Sequence, residues 1–161
     1  MTKRLIATLP LALWVLFAFV PVSYSADDGL ITTQSRYSVK ETIARFEEAV
    51  KAKESLGFMV FTEIDHAAAA KKFGLEIRPR VVIVFGNPKL GTLVMITTPL
   101  LAIDVPLKAL VWEDDQGKVW LTYNSAEYLG KTIYARHELP DPPSTPKLAA
   151  ALKDFADYAT K

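Results

Sequence analysis

The chain has 161 residues, with 19 basic and 18 acidic side chains, and it contains no cysteine. A chain of this length fits one domain with a single hydrophobic core. Its near-neutral charge excludes the strongly basic surface that nucleic-acid binding needs. The lack of cysteine excludes disulfides, thiolate catalysis, iron–sulfur clusters and c-type haem attachment, so the fold has to be held together by packing alone.

The N-terminus has the layout of a secretion signal. Lys3 and Arg4 precede an uncharged apolar run over 5–22, and small residues follow that run. This order of charge, apolar core and small residues predicts cleavage between Ser25 and Ala26, with a cut after Ala26 as the alternative. We therefore expect an exported protein, located in the periplasm or outside the cell.

A retained membrane anchor is the other interpretation of the same segment, because the apolar run is just long enough to cross a bilayer. Pro10 inside the run, Pro21 at its end and the acidic residues that follow favour cleavage instead. The expected organisation is a signal peptide, 1–25, and one domain, 26–161. That domain would meet the membrane only through the signal peptide before cleavage.

The mature chain opens with a predicted strand over 30–37, followed by a predicted helix. Ser38 and Glu41 form a capping box, in which two side chains satisfy backbone donors of the first helical turn, and Gly57 ends the helix. Glu47 and Lys51 are spaced to form an ion pair on its wet side. The apolar stripe of this helix repeats at helical spacing: Val39, Ile43, Phe46 and Val50.

A second strand is predicted over 58–65, with strict alternation of its side chains between two faces. Asp65 is expected to cap a short helix over 66–73 that ends at Gly74. A continuous apolar run then predicts an interior strand over 80–85. The alternation of the second strand places Phe58, Val60, Thr62 and Ile64 on one face and Met59, Phe61, Glu63 and Asp65 on the other.

Two further helices are indicated by proline at their first turn. Pro88 predicts a helix reaching about residue 97. Near the C-terminus, Thr145 is expected to cap a helix in which Pro146 takes the first position. The apolar stripe of this last helix is formed by Leu148, Leu152, Phe155 and Ala159.

The clearest hairpin signal joins strands predicted over 107–113 and 118–124. With Gly117 in the left-handed conformation, the register places Trp112 directly opposite Trp120. The same register predicts a nearly pure core face, formed by Leu107, Ala109, Val111, Val119, Leu121 and Tyr123.

These elements predict the α+β class. Their order is strand, helix, four strands and helix, with two short helices inserted between strands. Because the hairpin is clear and regular β-α-β alternation is absent, we expect a largely antiparallel sheet of about five strands. The two long helices are expected to pack on one face of this sheet.

Several segments of the mature chain resemble a bacterial domain-of-unknown-function family, DUF302, from about residue 30 to residue 137 or beyond. The segments are Phe58-Met59-Val60 after Gly57, Phe85-Gly86-Asn87-Pro88-Lys89, Asp104-Val105-Pro106-Leu107, Val111-Trp112-Glu113-Asp114 with Gly117, and Tyr123-Asn124. The resemblance implies a fold like that of the TATA-binding protein, β-α-β(4)-α. It implies no activity.

Histidine chemistry is limited to His66 and His137. No spacing of the kind that holds two ligands on one helical face is present, so we expect no metal site and no cofactor. An enzyme remains the alternative, with His137 and either Asp104 or Glu138 acting as acid and base. We favour a non-enzymatic protein, because no nucleophile with an adjacent base is recognisable.

The turn at Asn87 has two interpretations. The start of the following helix, with Lys89 nearby, could hold an anion. We favour a tight turn, in which the asparagine side chain bonds the local main chain. Because binding residues collect at the ends of elements, we also include Asp104, Tyr123 and His137 among the candidate binding residues.

Trp112 and Trp120 are the strongest candidates for a binding surface, together with Met59 and Phe61. These four could form an apolar patch on the sheet face away from the long helices. The favoured interpretation is that the helix beginning at Pro88 covers them as a second core. Otherwise the patch would serve a homodimer interface or a hydrophobic ligand groove.

The sequence therefore predicts an exported binding module, a candidate homodimer, that holds a small ligand or a partner against its sheet. The alternatives are a periplasmic enzyme around His137 and a structural partner in an envelope complex. The predicted ligand-binding or interface residues are Asn87, Asp104, Trp112, Trp120, Tyr123 and His137.

Overall fold

A computed structural model describes residues 29–140 and 145–161. The predicted signal peptide, 1–25, lies outside the described residues. Among the residues that are described, no helix is long and apolar enough to cross a membrane.

Five strands form one sheet in which every neighbouring pair is antiparallel. Their spatial order is β1-β5-β4-β3-β2, so the first strand lies at one edge and the second at the other. The strands are β1 (Leu30–Gln34), β2 (Met59–Asp65), β3 (Arg80–Gly86), β4 (Leu107–Glu113) and β5 (Val119–Asn124). The α+β class, the antiparallel sheet and the β-α-β(4)-α order are thus confirmed.

The two long helices are α1 (Val39–Lys51) and α5 (Thr145–Thr160), and both pack on the same face of the sheet. The shorter helices are α2 (His66–Lys71), α3 (Pro88–Met95) and α4 (Ala126–Tyr128), of which the first two are the inserted helices predicted from the sequence. A π-helical segment, Leu129–Tyr134, continues α4, and 3-10 helices span Glu54–Leu56 and Pro99–Ile103.

Two predicted N-caps are formed, and Asn87 forms another. The side chain of Ser38 accepts from the amide of Glu41 at 3.2 Å, which begins α1. Asp65 caps α2 through a bond from the amide of Ala68, and Asn87 caps α3 in the same way. Each cap satisfies an amide that the first helical turn would leave unpaired, so these residues fix where the chain changes from strand to helix.

The core lies between this sheet face and the two long helices. Phe46 of α1 contacts Phe85 of β3 edge to face, with ring centroids 5.0 Å apart. Phe155 of α5 packs against both rings at 6.1 and 6.2 Å. Each buried aromatic removes roughly 150–250 Å² from water, so these three rings provide a large share of the stabilisation.

The hairpin has the predicted register. Gly117 has a φ of 76°, and the amide of Asp114 donates to the carbonyl of Lys118 at 2.9 Å. Trp112 is paired directly with Trp120. The predicted core face of these strands is correct, because Ala109, Val111, Leu121 and Tyr123 are all buried.

Strand β2 departs from the predicted alternation because it contains a β-bulge. Val60 pairs with Phe85 and Thr62 with Val84, which leaves Phe61 as an extra residue. Paired residues point to the same face of a sheet, so every side chain after the bulge is on the opposite face from the one predicted. Glu63, paired with core residue Ile83, therefore faces the helices.

Helix α3 does not cover the tryptophans, contrary to the favoured interpretation of the sequence. Its aliphatic side chains face solvent, with Leu90 57% and Leu93 63% exposed. The helix also ends at Met95, and a 3-10 helix begins at Pro99. The apolar spacing of this segment predicts a buried face, whereas the fold leaves that face uncovered.

Candidate functional site

Trp112 and Trp120 form a stacked pair on the face of the sheet away from the long helices. Their ring centroids are 6.1 Å apart, with 24° between the planes. The indole of Trp112 donates to the hydroxyl of Thr122, and that of Trp120 donates to the carboxylate of Asp114. The latter bond lowers the pKa of Asp114. Both indole N–H groups are therefore already used within the hairpin.

The predicted patch of four apolar residues does not exist as one surface. Trp112 is paired with Arg80 at the start of β3, whereas Met59 is paired with Gly86 at its end. Six residues along a strand correspond to about 20 Å. Met59 and Phe61 are consequently at the opposite end of the sheet from the tryptophans.

Asp104 and His137 are brought together from distant parts of the chain. Nε2 of His137 is 2.6 Å from Oδ2 of Asp104, and the imidazole is only 7% exposed. Arg136 also donates to the same carboxylate, at 3.2 Å. This pair ties the helical segment after β5 to the 3-10 helix before β4.

A small cavity of about 20 Å³ lies beside this pair, and Asp104 and Tyr123 both line it. A cavity of this size holds about one water molecule. Burial, with a smaller contribution from the charge of Asp157, raises the pKa of Tyr123. Three predicted site residues thus lie close together, in a space too small for an organic substrate.

Asn87 lies apart from that group and has a structural role. Its amide group donates to the carbonyl of Leu56 at 2.8 Å, while its oxygen accepts from the amide of Leu90. A Cβ on Gly57, which has a φ of 94°, would lie 2.8 Å from that oxygen. These contacts agree with the tight turn that the sequence favoured.

A much larger space opens at the β2 edge of the sheet, on the face that carries the helices. We call it the edge groove; it lies between the N-terminal half of α1 and the end of the β2–β3 pair, and its volume is about 580 Å³. Its lining residues are Val39, Lys40, Ile43, Ala44, Glu47, Glu63, Asp65, Ala67, Pro79 and Val81.

Three carboxylates give the edge groove its electrostatic character. The bulge in β2 turns Glu63 and Asp65 towards α1, where Glu47 faces them. Burial, followed by the charge of Glu63 and a hydrogen bond with its side chain, raises the pKa of Glu47. Glu63 therefore sits close enough to Glu47 to disfavour ionisation of Glu47.

The three carboxylates of the groove form no salt bridge with a basic side chain among the described residues. The predicted pair of Glu47 with Lys51 is therefore not formed. Arg78, next to Pro79 of the lining, pairs instead with Glu113 and Asp115. Lys40 is the cation among the lining residues.

The acidic residues of the groove do not converge as metal ligands. In the part of the chain that the structure describes, no group of three or more histidine, cysteine, aspartate or glutamate side chains could hold a metal ion. Asp65 also uses one oxygen to cap α2. The arrangement suits contact with an organic group of positive charge better than coordination of an ion.

Sequence reasoning did not find the edge groove, because strict alternation placed Glu63 and Asp65 on the far face of β2. A bulge has no fixed sequence signature at this position, where Phe61 replaces the glycine that marks some bulges. The one available signal was the acidic content of the strand: Glu63 and Asp65 are unusual in a strand whose other residues, apart from Thr62, are apolar.

The fold and its groove define a small α+β module with an open pocket at one sheet edge. The family model described as "Domain of unknown function DUF302" matches residues 31–155. The chain therefore belongs to the DUF302 family, as the sequence segments indicated.

Curated relatives in Brucella are similar to most of this chain. Proteins named fluoride-specific ion channel FluC 1 in Brucella suis and Brucella abortus are 46% identical over 125 residues, which is 78% of this chain. The match covers 46% and 44% of their own lengths. This chain thus matches less than half of each relative.

A solved structure has the same fold. The crystal structure of an uncharacterised DUF302 protein from Bacillus stearothermophilus superposes with a TM-score of 0.65, covering 82% of this chain and 98% of that one. The sequence identity is 19%, so the likeness concerns the fold alone.

Proposed function

We propose that this protein is an exported binding module without catalytic chemistry of its own, and that it holds a small organic ligand in the edge groove. The observation that carries the proposal is the groove itself, with its volume of about 580 Å³. Ligand pockets in proteins are concave, mostly apolar and roughly 300–1,000 Å³ in volume.

The lining supports a binding role. Apolar side chains from α1 and β3, among them Ile43 and Val81, offer a surface for a hydrocarbon group. A few polar side chains lie together at one part of the groove, which is the pattern that fixes ligand orientation. The ligand would lie against the sheet, as the sequence predicted, but on the face opposite the tryptophans.

Export is supported by the apolar leader, and the names of the relatives bear on where the module works. The basic, apolar and small-residue order of the first 26 residues favours secretion. In the Brucella proteins named as ion channels, the matching region forms less than half of the chain. We propose from these names that the module works beside a membrane, in the periplasm or at the outer surface of the cell.

A neutral apolar dye tests the proposed function. N-phenyl-1-naphthylamine should bind the purified protein with enhanced fluorescence, and Ala44→Phe should weaken that binding about fivefold or more by filling the groove. Ala44 is exposed and lines the groove, whereas Ala150 is exposed on α5 outside it. Ala150→Phe is the matched control. Equal dye affinity for the two variants would contradict the proposal.

A homodimer is a second candidate, and it is favoured by the exposed aliphatic side chains of α3 and the following 3-10 helix. These are 57–77% exposed and comprise Leu90, Leu93, Ile96, Leu100 and Ile103. A stable interface buries roughly 800 Å² per partner around an apolar centre, which these five side chains would supply. No acidic residue lies between Glu76 and Asp104 to oppose apolar contact.

Analytical ultracentrifugation tests the proposed homodimer by measuring the oligomeric state. The double variant Ile96→Glu, Leu100→Glu should be monomeric at concentrations at which the unmodified protein is a dimer, because two buried charges would oppose association. Phe73→Glu, at another exposed apolar position, is the control and should leave the dimer intact. A monomeric unmodified protein at high micromolar concentration would rule the dimer out.

The enzyme alternative rests on the 2.6 Å contact between His137 and Asp104. That geometry suits an acid and base pair. The adjoining cavity of about 20 Å³ has room for one water molecule and none for a substrate, which is why we favour binding over catalysis.

A further inference from the structure

The charge of the edge groove indicates which class of ligand it would take. Glu47, Glu63 and Asp65 lie in the lining, where Lys40 is the one cation among the described residues. An anionic ligand would meet repulsion from these carboxylates, and a neutral ligand would leave their mutual repulsion in place. A cation placed among them would be attracted by all three.

We propose that the edge groove binds an organic monocation with an apolar body, such as an amphiphilic amine. Its ammonium group would lie between Glu47 and Glu63, and its hydrocarbon part would lie on Val39, Ile43 and Val81. This inference rests on the proposed function, because it names the ligand class of the same groove.

The state of the two glutamates supports this assignment. Because burial and the nearness of Glu63 raise the pKa of Glu47, its ionised form is disfavoured when the groove is empty. A bound ammonium group would reverse that effect by offering each carboxylate an opposite charge. The carboxylates are also without salt-bridge partners in the described part of the chain, so a ligand would not have to displace one.

The apolar walls distinguish this ligand from a simple ion. The described residues contain no set of three or more acidic or histidine side chains arranged for a metal. Val81 is buried at the floor, and Val39 and Ile43 are half-buried along α1. A hydrocarbon group on this surface would be stabilised by the removal of its apolar area from water.

Three compounds with one common body form the test: 4-phenylbutylamine, 4-phenylbutanol and 4-phenylbutyrate. Titration calorimetry of the purified protein at pH 7 should give the amine an affinity about tenfold or more above that of the alcohol. The butyrate should not bind measurably. Equal affinity for amine and alcohol would overturn the inference.

Substitutions of the groove glutamates test whether they contact the ammonium group of the ligand. Glu47→Gln and Glu63→Gln should each weaken amine binding about three- to fivefold, as expected for a partly exposed charge pair, and leave alcohol binding unchanged. Glu54→Gln is the matched control, because Glu54 is exposed in a 3-10 helix outside the groove. Amine binding that is unaffected by either groove variant would also overturn the inference.

The failure of this inference can be told apart from the failure of the proposed function. If alcohol and amine bind equally and Ala44→Phe weakens both, the groove is a binding site without preference for cations. If none of the three compounds binds and the neutral dye is insensitive to Ala44→Phe, both the ligand class and the groove itself are wrong.

Discussion

The two halves of helix α1 face the same sheet, but they differ in how completely their apolar side chains are buried. In the C-terminal half, Phe46 and Val50 are almost completely buried against β3 and α5. In the N-terminal half, Val39 and Ile43 belong to the same apolar stripe, yet they are only half-buried and border the edge groove. One helix with one continuous stripe therefore closes a core at one end and lines a pocket at the other.

The difference comes from the strand opposite, not from the helix. Beyond the bulge at Phe61, β2 presents Glu63 and Asp65 to α1, where regular alternation would have presented the uncharged Thr62 and Ile64. Carboxylates cannot be packed into a dry core without a partner, so the layers stay open at that point. The register between β2 and β3 beyond the bulge therefore decides where the core closes and where the groove opens.

The largest loss of stability is expected where the C-terminal half of α1 packs against the sheet and α5. Phe155→Ala should lower the free energy of unfolding by about 3–5 kcal/mol, because the ring fills a close-packed space between α1 and β3. Ile43→Ala, beside the groove, should cost less than about 1.5 kcal/mol, since its side chain is only half-buried. Urea denaturation measures both. Equal losses would mean that the two halves of α1 are packed alike.

An intermediate effect is expected at the small closed cavity, which contrasts with the open groove. His137→Ala removes the partner of Asp104 and should cost about 1–3 kcal/mol. Arg136→Ala, which removes an exposed ion pair with the same carboxylate, should cost less than about 1 kcal/mol. Chemical denaturation measures the free energy of unfolding of both variants. If Arg136→Ala costs as much as His137→Ala, the buried contact between His137 and Asp104 is no more stabilising than the exposed ion pair.

Deletion of Phe61 tests the bulge directly. Because Val60 and Thr62 pair with consecutive residues of β3, removing Phe61 would leave a regular ladder with all side chains on their present faces. We expect a loss of only about 1–2 kcal/mol and preserved amine binding. Deletion of Leu110, which is paired on both sides in the middle of β4, should prevent folding. Lost binding with intact folding in the Phe61 deletion would contradict this account.

The smallest effect is expected in the edge groove, where replacing Glu47 should slightly stabilise the folded protein at pH 7. The pKa of Glu47 is raised in the folded protein, so its stabilising contribution is present below its ordinary value of 4.5 and is lost as the pH rises through the raised value. Glu47→Gln should therefore raise the thermal unfolding midpoint at pH 7 and have no such effect below pH 4. A lower midpoint at pH 7 would show that the carboxylate stabilises the fold.

Much of the fold could be predicted because its signals are local. The capping residues Ser38 and Asn87 and the glycine of the hairpin act on their immediate neighbours, so their effects can be read from spacing. The pairing of Trp112 with Trp120 follows from the length of the hairpin loop. In the same way, each amphipathic stripe identified the buried face of a long helix.

The candidate site could be predicted only in part, because it depends on contacts between distant segments. His137 and Asp104 meet through the packing of two helical segments that no local pattern relates. The edge groove depends on the register of β2 against β3 beyond the bulge, and strict alternation predicted the wrong face for Glu63 and Asp65. Helix α3 shows the same limit, since an apolar stripe does not reveal whether anything covers it.

The side-chain titration of Glu47, followed by NMR in the unmodified protein and in Glu63→Gln, tests the central claim most directly. If the bulge turns Glu63 towards α1, Glu47 should titrate above its ordinary pKa of 4.5, and its pKa should fall towards that value in the variant. An identical pKa for Glu47 in the two proteins would show that the two carboxyl groups do not meet, and that the edge groove is not built as described.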